Sequence, residues 1–261
     1  MAVVFLNIIN HFNQTWRRNA NKMKKYFFML LLIPAIGMSQ TKNVISTHRV
    51  FPKMDKVLEF EKGLAAHAQK YHTGDVTWRV FAIQSGPDIG GFHVTEGPTS
   101  WEGEDARGDL GAEHKLDWNK NVAVYLTEKQ SGGYSVYIDS LSTVALGDFS
   151  DKINITHVYP KIGNSDNVVD MIKKIKKTWI AAGVTVAVYS ASSSGPTQYT
   201  LVTRYKQGLK ERAADFRKPF RETYEAVNGQ GSYAQYLKDA AEFLNDSWSE
   251  LLFMRKDLNS K

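Results

Sequence analysis

Apolar and polar positions along this chain form short alternating runs separated by helical stripes, in a fixed order. Val44-Ile45-Ser46-Thr47-His48-Arg49-Val50-Phe51 alternates and is closed by Pro52, which predicts a short strand. Asp55 can cap a helix that carries Val57, Leu58, Glu61, Leu64, Ala65 and Ala68 near one face. Gly74-Asp75 turns the chain into Val76–Ile83, apolar on both faces, as expected of a strand covered on both sides. Ser85-Gly86-Pro87-Asp88 is turn chemistry, and Gly91–Glu96 predicts a third strand. Glu113–Glu128 reads as a helix, and Gly132-Gly133 as a turn into a fourth strand, Tyr134–Ile138.

The same order then returns. Ile153–Tyr159 predicts a strand ending at Pro160, and Val168, Ile172, Ile175 and Trp179 form a helical stripe that stops at Gly183. Val184–Ser190 and Tyr199–Tyr205 read as strands around the turn Ser192–Pro196. A helical region spans about 218–249, interrupted near Asn228–Gly231, and Leu251–Arg255 is the last strand. Individual residues repeat as well. Arg49-Val50-Phe51-Pro52-Lys53 returns as His157-Val158-Tyr159-Pro160-Lys161, Val94-Thr95 as Val202-Thr203, Gly86-Pro87 as Gly195-Pro196, and Asp105-Ala106-Arg107 as Asp215-Phe216-Arg217. The offsets stay between 108 and 110, so the chain holds two copies of one β-α-β-β-α-β unit.

That order, with Phe51-Pro52-Lys53 and Tyr159-Pro160-Lys161 each followed by a helix, resembles the dimeric α+β barrel superfamily in a fused, tandem form. The hairpin turns at Gly86-Pro87 and Gly195-Pro196 and the Ser100-Trp101-Glu102 step after the third strand carry the likeness too. The resemblance implies an α+β fold of two ferredoxin-like repeats, residues 40–146 and 147–261, packed as a barrel. It implies a ligand site between sheet and helices or between the two sheets. Superfamily members include cofactor-free monooxygenases and haem-binding proteins, so haem enters as a candidate cofactor through the resemblance alone. The residues themselves point to none.

Residues 1–39 read as an extension plus export signal. Lys24 and Lys25 precede the apolar Tyr26–Ile33, Pro34 breaks it, and Gly37 and Ser39 fit a cleavage site before Gln40. Met23 stands where an initiator would be, and an uncleaved anchor is the alternative. Cleavage predicts a periplasmic or secreted protein with no membrane attachment. It also changes the charge. The whole chain carries a formal +6, but residues 1–39 hold five basic residues and no acid, so the remainder has 28 basic and 27 acidic residues. A net charge of +1 argues against nucleic acid as a partner. The absence of cysteine excludes disulfides and thiolate chemistry.

Candidate chemistry is sparse. His93, between Phe92 and Val94, is the first candidate for a ligand contact or proton carrier. The Val94/Val202 match places Leu201 opposite it in the second copy. Arg79 shares a strand face with Phe81 and Ile83, where a charge needs a partner: either Glu96 across the strand or an anionic ligand. Trp78 and Tyr199 could line a pocket or belong to the core, and Arg204 ends the equivalent strand of the second copy. His48, His67, His72 and His114 show no spacing that closes a metal site, and His67 and His72 are expected to be solvated. The sequence therefore favours a protein that holds a small apolar or aromatic ligand, as a monomer or homodimer. The alternatives are a cofactor-free or haem-dependent oxidoreductase using His93 with Arg79 nearby, and an interaction module with exposed sheet edges.

Overall fold

The computed structural model describes residues 41–261, so the predicted leader lies outside the described residues. The two repeats close on each other. Strands β1 (Val44–Pro52), β2 (Trp78–Ile83), β3 (Phe92–Thr99) and β4 (Leu126–Tyr137) come from the first. Strands β5 (Lys152–Pro160), β6 (Val186–Ala191), β7 (Tyr199–Arg204) and β8 (Leu244–Met254) come from the second. They form one closed antiparallel barrel in the order β1-β3-β2-β8-β5-β7-β6-β4. The seams β2–β8 and β4–β6 join the repeats. Closure leaves no free edge in this barrel, which overturns the interaction module built on exposed edges.

Helices cover the outside. The first repeat carries α1 (Val57–Tyr71), α2 (Trp101–Arg107) and α3 (Ala112–Asn121), and the second α4 (Ser165–Ala181), α5 (Phe220–Asn228) and α6 (Ser232–Phe243). None of the described helices is long and apolar enough to cross a membrane. Each repeat has its own core between helix and sheet. One gathers Phe60, Leu64, Trp78, Val80, Phe92 and Val94, and the other Val168, Ile172, Val186, Val188, Tyr199 and Leu201. The predicted stripe on α4 is the one that packs. On α1, Gly63 touches α3 so closely that a Cβ there would overlap the Asn121 carbonyl oxygen, so only glycine lets the two helices meet.

Three predicted boundaries move. The chain leaves the predicted Glu113–Glu128 helix at Asn121, and β4 starts at Leu126, so Gly132-Gly133 lies inside the strand. Glycine fits there because a Cβ on Gly132 would press on the Thr47 carbonyl of the neighbouring strand. β8 likewise starts at Leu244, inside the stretch read as helical, after α6 ends. The helical region before it breaks at Gly229 and Gly231, both at positive φ.

The last residues fold back onto the first repeat. Arg255 forms a bidentate pair with Glu61 on α1. The Val80 amide donates to Asn259 Oδ1 (2.8 Å), the Trp78 amide donates to Ser260 Oγ (2.9 Å), and Leu258 is buried.

Candidate functional site

Strand alternation gives the barrel an inner face, and the residues on it enclose a cavity of about 340 Å3. β1 contributes Thr47 and Arg49, β3 contributes His93 and Thr95, β5 contributes His157, and β8 contributes Trp248. Phe81, Phe149 and Tyr189 add aromatic wall.

At one end the polar side chains form a network. Arg49 donates to Asp88 (2.7 Å) and, through both terminal nitrogens, to Glu250. His157 Nε2 lies 2.8 Å from Glu250, and its Nδ1 lies 2.6 Å from the Gln198 amide nitrogen. This assigns the ring proton to Nε2 and leaves Nδ1 to accept. Trp248 stacks on the His157 ring at 4.1 Å. Burial raises the pKa of Glu250, but hydrogen bonds from His157 and Arg49 outweigh it and hold the carboxyl below its ordinary range.

Two residues that line the cavity each carry a buried polar atom without a protein partner: His93 Nδ1 and Thr95 Oγ1. Such atoms are rare in folded proteins and call for an explanation. Burial pushes the His93 pKa well below 6.5, and the positive Arg49 nearby adds to the effect, so the ring is neutral. The folded-state pKa is thus below that of the unfolded chain, which takes up the proton first on acidification. The stability His93 contributes is complete above about pH 6.5 and is lost as the pH falls below it. Urea unfolding midpoints of the wild type are therefore expected to drop more steeply below about pH 6.5 than those of His93→Leu. Parallel pH profiles would refute the assignment.

The other end is closed by the linker between the repeats. Phe149 lies under two guanidiniums, 3.8 Å from Arg79 and 5.0 Å from Arg204. Arg204 is 2% exposed and donates to the carbonyls of Ala145 (2.8 Å), Leu146 (3.0 Å) and Asp148 and to the Tyr189 hydroxyl (3.0 Å). Arg79 donates to the Gly97 carbonyl at 2.8 Å, so the expected pairing with Glu96 is not made. Glu96 is on the opposite face of β3, bonded to Trp78 Nε1 at 2.5 Å.

Three of the five predicted residues, His93, Arg79 and Arg204, thus face the interior. Trp78 and Tyr199 do not: both pack beneath the helices, because their neighbours on the strand take the inner positions. Arg204 ends β7, the counterpart of β3 rather than of β2. The residue opposite His93 also changes. Arg49 pairs with His93 and His157 with Thr200, so Thr200, not Leu201, is its counterpart. The hairpin loop is one residue shorter in the second copy (192–198 against 84–91). A one-residue slip moves every side chain to the other face. Arg49, Glu250, Trp248 and Gln198 escaped sequence reasoning. Arg49 and His157 had stood in the repeated strand-end motif, where they read as fold residues.

A second polar cluster lies on the helix side of β3. His67 on α1 and His72 just after it are both 0% exposed, which corrects their expected solvation. His67 Nδ1 lies 2.7 Å from Asp117 Oδ2, and His72 Nδ1 lies 3.0 Å from Glu96 Oε2. The Nε2 atoms of both approach His114 Nε2, at 3.1 and 3.3 Å. His114 and Asp117 stand on one face of α3. The ligand atoms of the three imidazoles lie within 4.8 Å of one another, a grouping that their spacing in the sequence did not predict. Its ligands come from separate elements that only the fold brings together.

No protein-family model matches this sequence, and no curated protein is significantly similar to it. Solved structures are similar in fold. A candidate monooxygenase from Fusobacterium nucleatum subsp. nucleatum aligns at a TM-score of 0.52 and 11% identity, over 82% of this chain and 92% of its own. An anthrone oxidase-like protein aligns at 0.52 and 13% identity, over 84% and 94%. A candidate chlorite dismutase aligns at 0.51 and 7% identity, over 83% and 96%. At these identities the likeness is one of architecture.

Proposed function

We propose that this tandem α+β barrel, similar in fold to those solved structures, binds one small, partly aromatic ligand in the barrel interior. The observation that carries this reading is the pair of unpartnered buried atoms, His93 Nδ1 and Thr95 Oγ1, on the wall of an aromatic-lined cavity. A ligand whose hydroxyl or carbonyl group reached these residues would supply the missing partner, and Phe81 and Tyr189 are the aromatic wall its ring would meet. The interior holds Arg49, Arg79 and Arg204 against Asp88 and Glu250, so a phenolate or other weak anion suits it better than a cation. One chain completes the barrel, so a monomer suffices to build the site. The reading includes export, on the strength of the leader pattern in residues 24–39.

An oxidoreductase is the second reading, supported by the names of the solved structures that share the fold and by the neutral His93. With anthrone as the test substrate, His93 would take a proton from the ring methylene, and dioxygen would accept the electrons. One oxygen atom would enter the carbonyl product and the other would leave as water. Arg49 rather than Arg79 is the guanidinium beside His93 in this site.

Haem belongs to this second reading through the fold alone. The cavity, at about 340 Å3, is near the lower limit for a drug-sized ligand, roughly 300 Å3.

Calorimetric titration with anthrone tests binding. His93→Ala is expected to weaken it about tenfold, the worth of one buried hydrogen bond. No saturable heat with the wild type, or equal affinity in His93→Ala, would sink the reading. Oxygen uptake with anthrone that His93→Gln abolishes would establish the enzyme.

A further inference from the structure

The geometry points to a binding site for one divalent transition-metal ion, zinc by preference, held by the Nε2 atoms of His67, His72 and His114 outside the barrel. The argument is a count of protons. Asp117 and Glu96 accept from Nδ1 of His67 and His72, so those rings carry their hydrogen on Nδ1 and present a lone pair at Nε2. His114 Nε2 lies 3.1 Å from one and 3.3 Å from the other. It has at most one hydrogen and can serve only one of them. At least one of these close contacts therefore sets two lone pairs face to face, unless a cation lies between them.

The spacing suits a metal. Zinc binds imidazole nitrogen at about 2.0–2.1 Å, which separates tetrahedral ligands by roughly 3.3 Å. Carboxylates on the far ring nitrogens are the usual outer support of metal-binding histidines, fixing tautomer and orientation. Here that support is itself held. Trp78 and Arg107 both donate to Glu96, and the Trp78 ring stacks on His72 at 3.5 Å.

The second repeat shows what the position needs when it is only structural. The copy offset sets Ile175, a core residue, where His67 stands. By strand register, Thr203 stands where Glu96 does. The first repeat replaces an apolar core position with a buried imidazole, and folding alone does not require it. Three imidazoles leave a tetrahedral ion one further position, as in zinc sites that bind water or substrate. His114 is the one ligand of the three with solvent access, so that position opens beside it.

The purified protein, stripped with chelator and dialysed against Zn(II), is expected to retain about one ion per chain. Substituting Co(II) should give the visible bands of a tetrahedral ion. His114→Ala, at a half-exposed position, should abolish stoichiometric binding while circular dichroism stays unchanged. Asp117→Asn should weaken binding about 10–100-fold, and Asp170→Asn, exposed on α4, should leave it intact. The proposal is overturned if the wild type retains no stoichiometric metal, which would leave an extra proton as the cation in the cluster. It is equally overturned if His114→Ala binds as the wild type does.

Discussion

Glu250→Ala is expected to lower folding stability by about 3–5 kcal/mol, the cost of leaving the buried Arg49 guanidinium without its anion and the His157 Nε2 hydrogen without its acceptor. Glu250 is 1% exposed and accepts from both terminal nitrogens of Arg49 and from His157 Nε2. Asp88 could retain Arg49, but Lys129 already shares that carboxylate, and His157 has no other carboxylate bonded to it. The loss should appear in urea unfolding as a lower midpoint at constant slope. Glu250→Gln keeps the shape and one acceptor, so it should fall between. A loss under about 1 kcal/mol in the alanine variant, the scale of a surface ion pair, would show that the network is not the buried anchor the distances imply.

Arg204→Leu should cost about 3 kcal/mol or more, because hydrogen bonds from a charged group to buried acceptors are worth roughly 1.5–3 kcal/mol each. The guanidinium joins three linker carbonyls to the Tyr189 hydroxyl. Losing it leaves acceptors unsatisfied and frees the segment that carries Phe149. The loss should therefore be local as well as global: amides near 144–150 should exchange faster than those of α4. Arg204→Lys should recover only part of it, since a point charge cannot reproduce the fork. Unchanged exchange in the linker would contradict the tethering role.

Where residues carried the fold by their own chemistry, the sequence was legible. The alternation of Val44–Phe51, the Val168–Ile172–Ile175 stripe and the repeat of Pro52 at Pro160 led to two ferredoxin-like units and to a barrel. Leu244–Trp248 misled because polar Asn245, Asp246 and Ser247 face solvent from a strand as readily as from a helix. Leu201 and Thr200 are neighbours, and no pattern in the sequence decides which points inward once a hairpin shortens by one residue. The metal-type cluster was hidden for another reason. Its ligands lie up to 47 residues apart and meet only because α3 settles on α1 at Gly63.

The return of the C-terminal residues to β2 and α1 bears on synthesis. β2 meets β8 along one side, and its remaining amides bond to Asn259 and Ser260. The first repeat is therefore completed by residues more than 170 positions further along the chain than β2. During vectorial synthesis it must wait, with a strand edge and part of its core open, until Leu258–Ser260 have emerged. Sequence inserted among residues 255–260 would therefore disturb the first repeat, although it lies far from that repeat along the chain.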